Sequence, residues 1–143
     1  DRLFEPIVIF SRRKRHNIDR WAPKCNAPKE DAGWVKKAQR VSCFAKRDRY
    51  HAINVTNAHT IEFRAFNGTL HAGEIKAYIQ LCLAMSQLAK MVRTASPKPQ
   101  QTDNEKYAMR CWMLRLGFIG DEFATAREIL LRNMEGNASW RNK

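Results

Sequence analysis

The sequence predicts an α+β fold in which an antiparallel β-hairpin is followed by three helices. Residues on both sides of a short loop at 57–59 alternate between apolar and polar, as residues of half-buried strands do. Apolar residues then recur at helical spacing in three segments, at 72–92, 102–117 and 120–136. The chain has 143 residues, which is the length of one domain.

The pattern of side chains fixes the register of the hairpin. A three-residue loop at 57–59 pairs Asn54 with Glu62 and Ala52 with Arg64, whereas a two-residue loop would set Asn54 against the apolar Ile61. The first register is consistent, so Asn54, Glu62 and Arg64 share a polar face. The opposite, core-facing side then consists of Ile53, Val55, Ile61, Phe63 and Ala65.

Glu62 and Arg64 lie two residues apart on one strand and should project from the same face. They could form an ordinary ion pair on an exposed sheet, or a site that holds a divalent cation beside a phosphate. Mg²⁺ prefers carboxylate and phosphate oxygens, and Arg can bind phosphate with two N–H groups. The residue pattern alone favours the ordinary ion pair.

Residues 11–48 form a basic segment. Between positions 11 and 50 there are thirteen Lys and Arg but four acidic residues. Pro23, Pro28 and Gly33 predict an irregular excursion with a short helix near 32–41, anchored by Trp21 and Trp34. Before it, residues 1–10 fit the last turns of an amphipathic helix that began before Asp1, although a short strand also fits.

The net charge of +12 favours anionic partners, and we expect anionic ligands at the basic segment. A nucleic-acid-binding protein is the competing hypothesis, resting on this charge and on the basic run at 12–15, but no helix-turn-helix, zinc-finger or RNP signature supports it.

No apolar run is long enough to span a bilayer. The four cysteines form no CxxC pair, and Cys25, Cys43 and His16 fit no zinc spacing, which indicates a reducing, cytoplasmic setting.

The three helical segments carry their own boundary signals. The 72–92 helix has a wide apolar face and should pack on more than one side, with Thr69 serving helix entry and His71 solvated. Thr102–Glu105 is a capping-box pattern that predicts the start of the next helix, and Gly117 its end. Gly136 is the expected C-cap of the last helix, after which Trp140 should tuck the tail back.

Residues 49–70, RYHAINVTNAHTIEFRAFNGTL, are followed by a helix whose first turn reads GEI. Together they resemble the signature of the putative amidoligase family, which belongs to the carboxylate–amine ligases with a glutamine-synthetase-like fold. The C-terminal helices, WMLRLGFIGDEFATAREILLRNMEGNASW, are also similar to that family. The resemblance covers roughly 49–140 and is most specific at Asn54, Thr60–Arg64 and Gly68–Thr69.

The resemblance implies ATP-dependent amide formation, in which a carboxylate is activated as an acyl phosphate and then attacked by an amine. It implies ATP and Mg²⁺ as cofactors. Glu62 would be the metal ligand, Arg64 the catalytic phosphate-binding guanidinium, and Asn54 a catalytic residue that orients the substrate or Glu62. Arg49 matches a further family position and is assigned with Arg64 to cofactor binding.

The family carries a Glu-x-Glu on an early strand, and this sequence contains no Glu-x-Glu. We therefore expect residues 1–143 to be the C-terminal portion of a longer catalytic domain, a fragment of the full fold. Its parts would be the basic excursion at 11–48, the hairpin and long helix at 49–93, and the C-terminal helices at 102–140. We expect no ligase activity from this chain by itself.

Overall fold

The computed structural model describes residues 4–22, 50–54, 56–57, 59–93 and 102–140. A two-stranded antiparallel sheet and helices make up these residues, which agrees with the α+β prediction; the glutamine-synthetase-like fold remains a prediction. The predicted helix at 32–41 lies outside the described residues. The elements are α1 (Phe4–Ser11), α2 (Arg15–Trp21), β1 (Ile53–Asn54), β2 (Glu62–Phe63), α3 (Ala72–Met91), α4 (Glu105–Arg115) and α5 (Ala124–Leu131), the last preceded by a 3-10 turn at Asp121–Phe123.

The hairpin has the predicted register. Asn54 pairs with Glu62, and Ile53 pairs with Phe63. The backbone N–H of Arg64 donates to the carbonyl of Ala52 at 2.8 Å, which continues the same pairing one residue further. The three-residue loop is therefore confirmed, since a two-residue loop would shift every pair.

The core-facing side of the hairpin is only partly as predicted. Ile61 was expected inside and is 58% exposed, while Val55 lies outside the described residues. The apolar cluster forms instead at the other end of the hairpin, where Ala52 and Ala65 are buried beneath Ile18 of α2. Ala65 is buried, as the alternation predicts, whereas Ile61 lies just before the ordered part of β2.

The main core lies between α3, α4 and α5, the three C-terminal helices that the sequence predicts. Phe66 stacks on Tyr78 with ring centroids 4.6 Å apart and so joins the exit of the hairpin to α3. Through Tyr78, this core contacts a residue three positions after β2. Its buried members are Ala77, Tyr78, Leu81, Met109, Met113, Phe118, Ala126, Ile129, Leu130, Leu131 and Met134.

Only one side of α3 is buried in the part of the chain that the structure describes. Ala77, Tyr78 and Leu81 face the core, with Glu74 in the same row one turn earlier. Packing on more than one side was expected, but Ile75 and Ile79 on the adjoining face are exposed. The wide apolar pattern therefore overstates the buried face, because the described contacts of α3 are mainly with α5.

The N-terminal residues form two short helices. The helix predicted for the first ten residues is confirmed as α1, with residues 1–3 outside the described set. The helix α2 was not predicted, because residues 15–21 were assigned to the irregular excursion. Trp21 is 38% exposed and meets the ring of Tyr50 edge-on at 5.4 Å, so it makes an apolar contact without being buried, while Trp34 lies outside the described residues.

Asn104, not Thr102, caps the start of α4. The Asn104 side-chain oxygen accepts from the N–H of Tyr107 at 3.0 Å, and the Thr102 hydroxyl accepts from the N–H of Asn104 at 3.2 Å. The helix therefore begins two residues later than the capping-box pattern predicts. Asn104 is fully buried and also donates from Nδ2 to the carbonyls of Asn137 and Trp140, at 2.9 and 2.8 Å.

Gly136 is not a C-cap, since α5 ends at Leu131. It has a φ of +101° and lies against the Asn104 side chain, where a longer residue would not fit. The tail returns to the fold as predicted, but through its backbone: the Trp140 side chain is exposed, and its carbonyl is held by Asn104.

The two described cysteines, Cys82 and Cys111, are half-buried free thiols. Burial raises the pKa of Cys82 to about 11, so its thiol stays protonated near neutral pH. Cys25 and Cys43 lie outside the described residues. Within the described part of the chain, no helix combines the length and the hydropathy that crossing a membrane requires.

Replacing Gly136 with alanine should destabilise the fold more than the same change at Gly117. Both glycines have a left-handed φ, of +101° and +85°, which costs alanine about 1–2 kcal/mol. At Gly136 the new Cβ would also lie 2.5 Å from Asn104 Oδ1, whereas at Gly117 it would meet nothing within 4 Å. Urea unfolding should show a loss at least about 1 kcal/mol larger for Gly136→Ala. Equal losses for the two variants would contradict the contact with Asn104.

Candidate functional site

The polar face of the hairpin is a hydrogen-bonded row of three side chains. Glu62 accepts from Asn54 Nδ2 at Oε2 and from Arg64 Nη1 at Oε1, both at 2.9 Å. The Asn54 oxygen accepts from the N–H and the hydroxyl of Thr56, at 3.0 and 2.7 Å. These two bonds fix the amide so that its nitrogen faces the carboxylate. Asn54, Glu62 and Arg64 are thus brought together as the sequence predicted.

Arg64 is held from several directions. Its Nε donates to the carbonyl of Trp21 at 3.4 Å, and its guanidinium carbon lies 5.6 Å from the centre of the Tyr50 ring. Its own carbonyl accepts a hydrogen bond from Arg13 Nη1. The Arg64 side chain is 17% exposed, and that of Glu62 is 41% exposed. The guanidinium is therefore immobilised beside a carboxylate that solvent can reach.

The side chains of this row are of the types that can bind magnesium and phosphate. Mg²⁺ is commonly bound by one or two carboxylates, by phosphate oxygens and by several waters, so a single accessible carboxylate fits it. A cage of three or more His, Cys, Asp or Glu residues does not occur among the described residues. The adjacent guanidinium supplies the charge-assisted N–H groups that bind phosphate. Arg49, the further predicted cofactor residue, lies outside the described residues.

A second polar cluster centres on Glu74, which the sequence pattern did not single out. Arg12 Nη2 and Arg132 Nη2 each donate to Glu74 Oε1 at 2.6 Å, and the Thr69 hydroxyl donates to Oε2 at 2.7 Å. The Glu74 side chain is 3% exposed, whereas the two arginines are half exposed. One carboxylate thus joins α1, the loop before α3, α3 itself and the end of α5.

The same cluster caps the start of α3. His71 Nδ1 accepts from the N–H of Glu74 at 3.2 Å, and the Thr69 hydroxyl accepts from the N–H of His71 at 3.1 Å. Thr69 therefore has the helix-entry role that the sequence predicts, and His71 is the N-cap of a 20-residue helix. A glutamate in the first turn also suits the positive end of the helix dipole.

Glu74 is held in its charged form. The Thr69 hydroxyl is the largest cause that lowers the pKa of Glu74, and the two arginines lower it further, while burial opposes them. The sequence does contain a pattern that could have identified Glu74 as a paired, buried charge. Glu74 occupies the first position of the buried i, i+3, i+4, i+7 row with Ala77, Tyr78 and Leu81, where a charged residue requires a partner.

The basic run at 12–15 is largely bound to other parts of the chain. Arg12 pairs with Glu74, and Arg13 donates to the Arg64 carbonyl. Arg15 pairs with Asp19 within α2 at 3.3 Å. Three of the four cations that suggested a nucleic-acid surface therefore contact groups of the protein itself.

Comparison with known proteins identifies one family. Residues 13–86 match the model of a family described as "putative amidoligase enzyme". No curated protein and no solved structure matches the chain. The matched residues make up just over half of the chain and contain α2, the hairpin and most of α3. The C-terminal part of the predicted resemblance lies outside the match and stays a prediction.

We expect Glu74→Gln to lower the free energy of unfolding by about 1.5–3 kcal/mol, because it removes the charge that two arginines bind. Glu128→Gln is the matched control, since Glu128 is an exposed acid on α5 and should change stability by less than about 0.5 kcal/mol. Denaturant unfolding of both variants measures the difference. Similar stabilities for the two variants would contradict the role assigned to Glu74.

The destabilisation by Glu74→Gln should depend on pH. The folded-state pKa of Glu74 lies below its ordinary value of 4.5, so its contribution is complete above that value. It is lost as the pH falls through the lower, folded-state pKa, where the parent carboxyl is protonated as well. The stability difference between parent and variant should therefore shrink as the pH is lowered from about 5. A difference that stays constant across this range would show that charge is not the cause.

Proposed function

Since the chain belongs to the amidoligase family, we propose that it takes part in ATP-dependent ligation of a carboxylate to an amine. A carboxylate oxygen attacks the γ-phosphorus of ATP, and ADP leaves. The amine then attacks the acyl carbon of the acyl phosphate, phosphate leaves, and the nitrogen loses a proton. The observation that carries this proposal is the hydrogen-bonded row of Asn54, Glu62 and Arg64 within the matched residues.

Each residue of the row has a distinct role in this proposal. Arg64 binds phosphate oxygens and neutralises the charge that develops during phosphoryl transfer. Glu62 would hold Mg²⁺, which when bound screens the phosphate charges. Asn54 orients Glu62, because its amide is fixed by Thr56 on one side and donates to the carboxylate on the other.

The environment of the row supports these roles. Phosphoryl transfer depends mainly on positioning and on charge stabilisation, so immobile groups are favoured. Arg64 is fixed by contacts with Trp21, Tyr50 and Glu62, and Glu62 remains accessible to solvent. The net charge of +12 attracts a nucleotide and an anionic carboxylate substrate.

The nucleic-acid hypothesis gains no support from the described residues. One part of its sequence evidence, the basic run at 12–15, consists largely of arginines that contact Glu74, the Arg64 carbonyl and Asp19, and the other part, the net charge of +12, favours a nucleotide as well. The described residues therefore favour the ligase function over nucleic-acid binding.

Substitutions in the row should separate phosphate binding from metal binding. Arg64→Ala should weaken binding of magnesium–nucleotide to the full-length protein by roughly tenfold or more, because charge-assisted hydrogen bonds are lost. Glu62→Gln should raise the Mg²⁺ concentration that tight binding requires, without weakening binding of nucleotide in EDTA. Isothermal titration calorimetry across a Mg²⁺ series measures both effects.

Glu122→Gln serves as the control for loss of an acidic side chain, since Glu122 is exposed in the 3-10 turn before α5. It should bind magnesium–nucleotide like the parent. If Glu62→Gln and Arg64→Ala also bind like the parent, the assignment of this row to metal and phosphate is wrong.

A further inference from the structure

Two consecutive arginines at the end of α1 point to different partners. Arg12 binds Glu74 at the start of α3, and Arg13 donates to the carbonyl of Arg64 at the end of β2. They link the Glu74 cluster to the polar row of the hairpin through adjacent residues, beside the chain connection from Arg64 to Thr69. The contact with Glu74 and the contact with the Arg64 backbone are therefore made by neighbouring residues.

The backbone of Arg12 has an unusual conformation. Arg12 has a φ of +55°, the single positive φ of a non-glycine residue in the described part of the chain. Such a conformation persists when surrounding contacts hold it in place. Here the holding contacts are the ion pair from Arg12 to Glu74 and the hydrogen bond from the Arg13 N–H to the buried Ser11 hydroxyl at 3.3 Å.

The residue that Arg13 holds, Arg64, is the one to which we assign phosphate binding. The Arg64 backbone is fixed on both sides, because its N–H donates to Ala52 and its carbonyl accepts from Arg13. The ordered part of β2 ends at Phe63, so the sheet itself does not hold the Arg64 carbonyl. Arg13 supplies that contact.

We propose that the Glu74–Arg12 ion pair positions the Arg64 guanidinium through Arg13, so that Arg12, Arg13 and Glu74 are positioning residues for phosphate binding. This inference rests on the proposed function of Arg64. It assigns the N-terminal segment of the chain to the same site as the hairpin.

Arg132 provides an internal control. It binds the same oxygen of Glu74 at the same distance as Arg12, 2.6 Å, and it is exposed to a similar extent. It lies at the end of α5 and has no contact with Arg64 among the described residues. If the cluster only stabilised the fold, Arg12 and Arg132 would be equivalent.

The test compares Arg12→Gln, Arg13→Gln and Arg132→Gln in the full-length protein. Arg12→Gln and Arg132→Gln should lower the melting temperature to a similar extent, because each removes one guanidinium from Glu74. Arg12→Gln and Arg13→Gln should weaken binding of magnesium and a non-hydrolysable ATP analogue roughly tenfold, whereas Arg132→Gln should leave it within about twofold of the parent. Equal weakening by Arg12→Gln and Arg132→Gln would overturn the inference.

A double-mutant cycle of Arg13 and Arg64, measured by nucleotide binding, tests whether Arg13 acts through Arg64 or only stabilises the fold. Arg13→Gln should weaken nucleotide binding in the parent but cause no further loss in an Arg64→Ala background, because the positioned guanidinium is then absent. A loss of the same size in both backgrounds would show that Arg13 does not act through Arg64.

An NMR measurement separates failure of this inference from failure of the proposed function. The Arg64 Nε–H signal should shift and exchange faster in Arg12→Gln and Arg13→Gln than in Arg132→Gln. If the parent protein does not bind magnesium–nucleotide, the proposed function is wrong, and this signal alone decides whether Arg12 and Arg13 position Arg64. If the signal responds equally in all three variants, the inference is wrong even when nucleotide binds.

Discussion

The buried carboxylate of Glu74 is the constraint on which the described structure depends. A charge with 3% exposure is tolerated inside a protein only when it is paired, and Glu74 accepts hydrogen bonds from Arg12, Arg132 and Thr69. Its two arginine partners are far apart in the sequence, at positions 12 and 132. The ion pairs therefore bring the N-terminal helix α1 and the C-terminal end of α5 to the first turn of α3, beside the hairpin.

This arrangement gives the basic N-terminal run an internal role. Arg12 neutralises the charge of Glu74, and Arg13 holds the backbone carbonyl of Arg64. The hairpin contributes the accessible carboxylate of Glu62 and an immobile guanidinium, to which we assign the binding of Mg²⁺ and phosphate. In our proposal the fold thus stabilises the site from both sides: apolar packing on Ala52 and Ala65, and ionic contacts through Arg12 and Arg13.

Local patterns predicted those features whose causes are local. Loop length and the period of two fixed the hairpin register, and helical spacing located α3, α4 and α5. Predictions were wrong where a local pattern allowed more than one structure, as at the N-cap of α4 and at Ile61. Thr102 and Asn104 are both good N-caps, and the structure uses Asn104 because its amide also binds the tail. Ile61 fits the core-facing alternation, but the ordered strand starts after it.

The sequence by itself determined the three C-terminal helices, the hairpin register, and the shared face of Asn54, Glu62 and Arg64, because these depend on local patterns. Only the tertiary structure decided which side of α3 is buried and where the arginines bind. The two arginine partners of Glu74 are 62 and 58 residues away, and Arg13 is 51 residues from Arg64. Contacts at such separations leave no periodic signal, since they depend on how completed helices pack against one another.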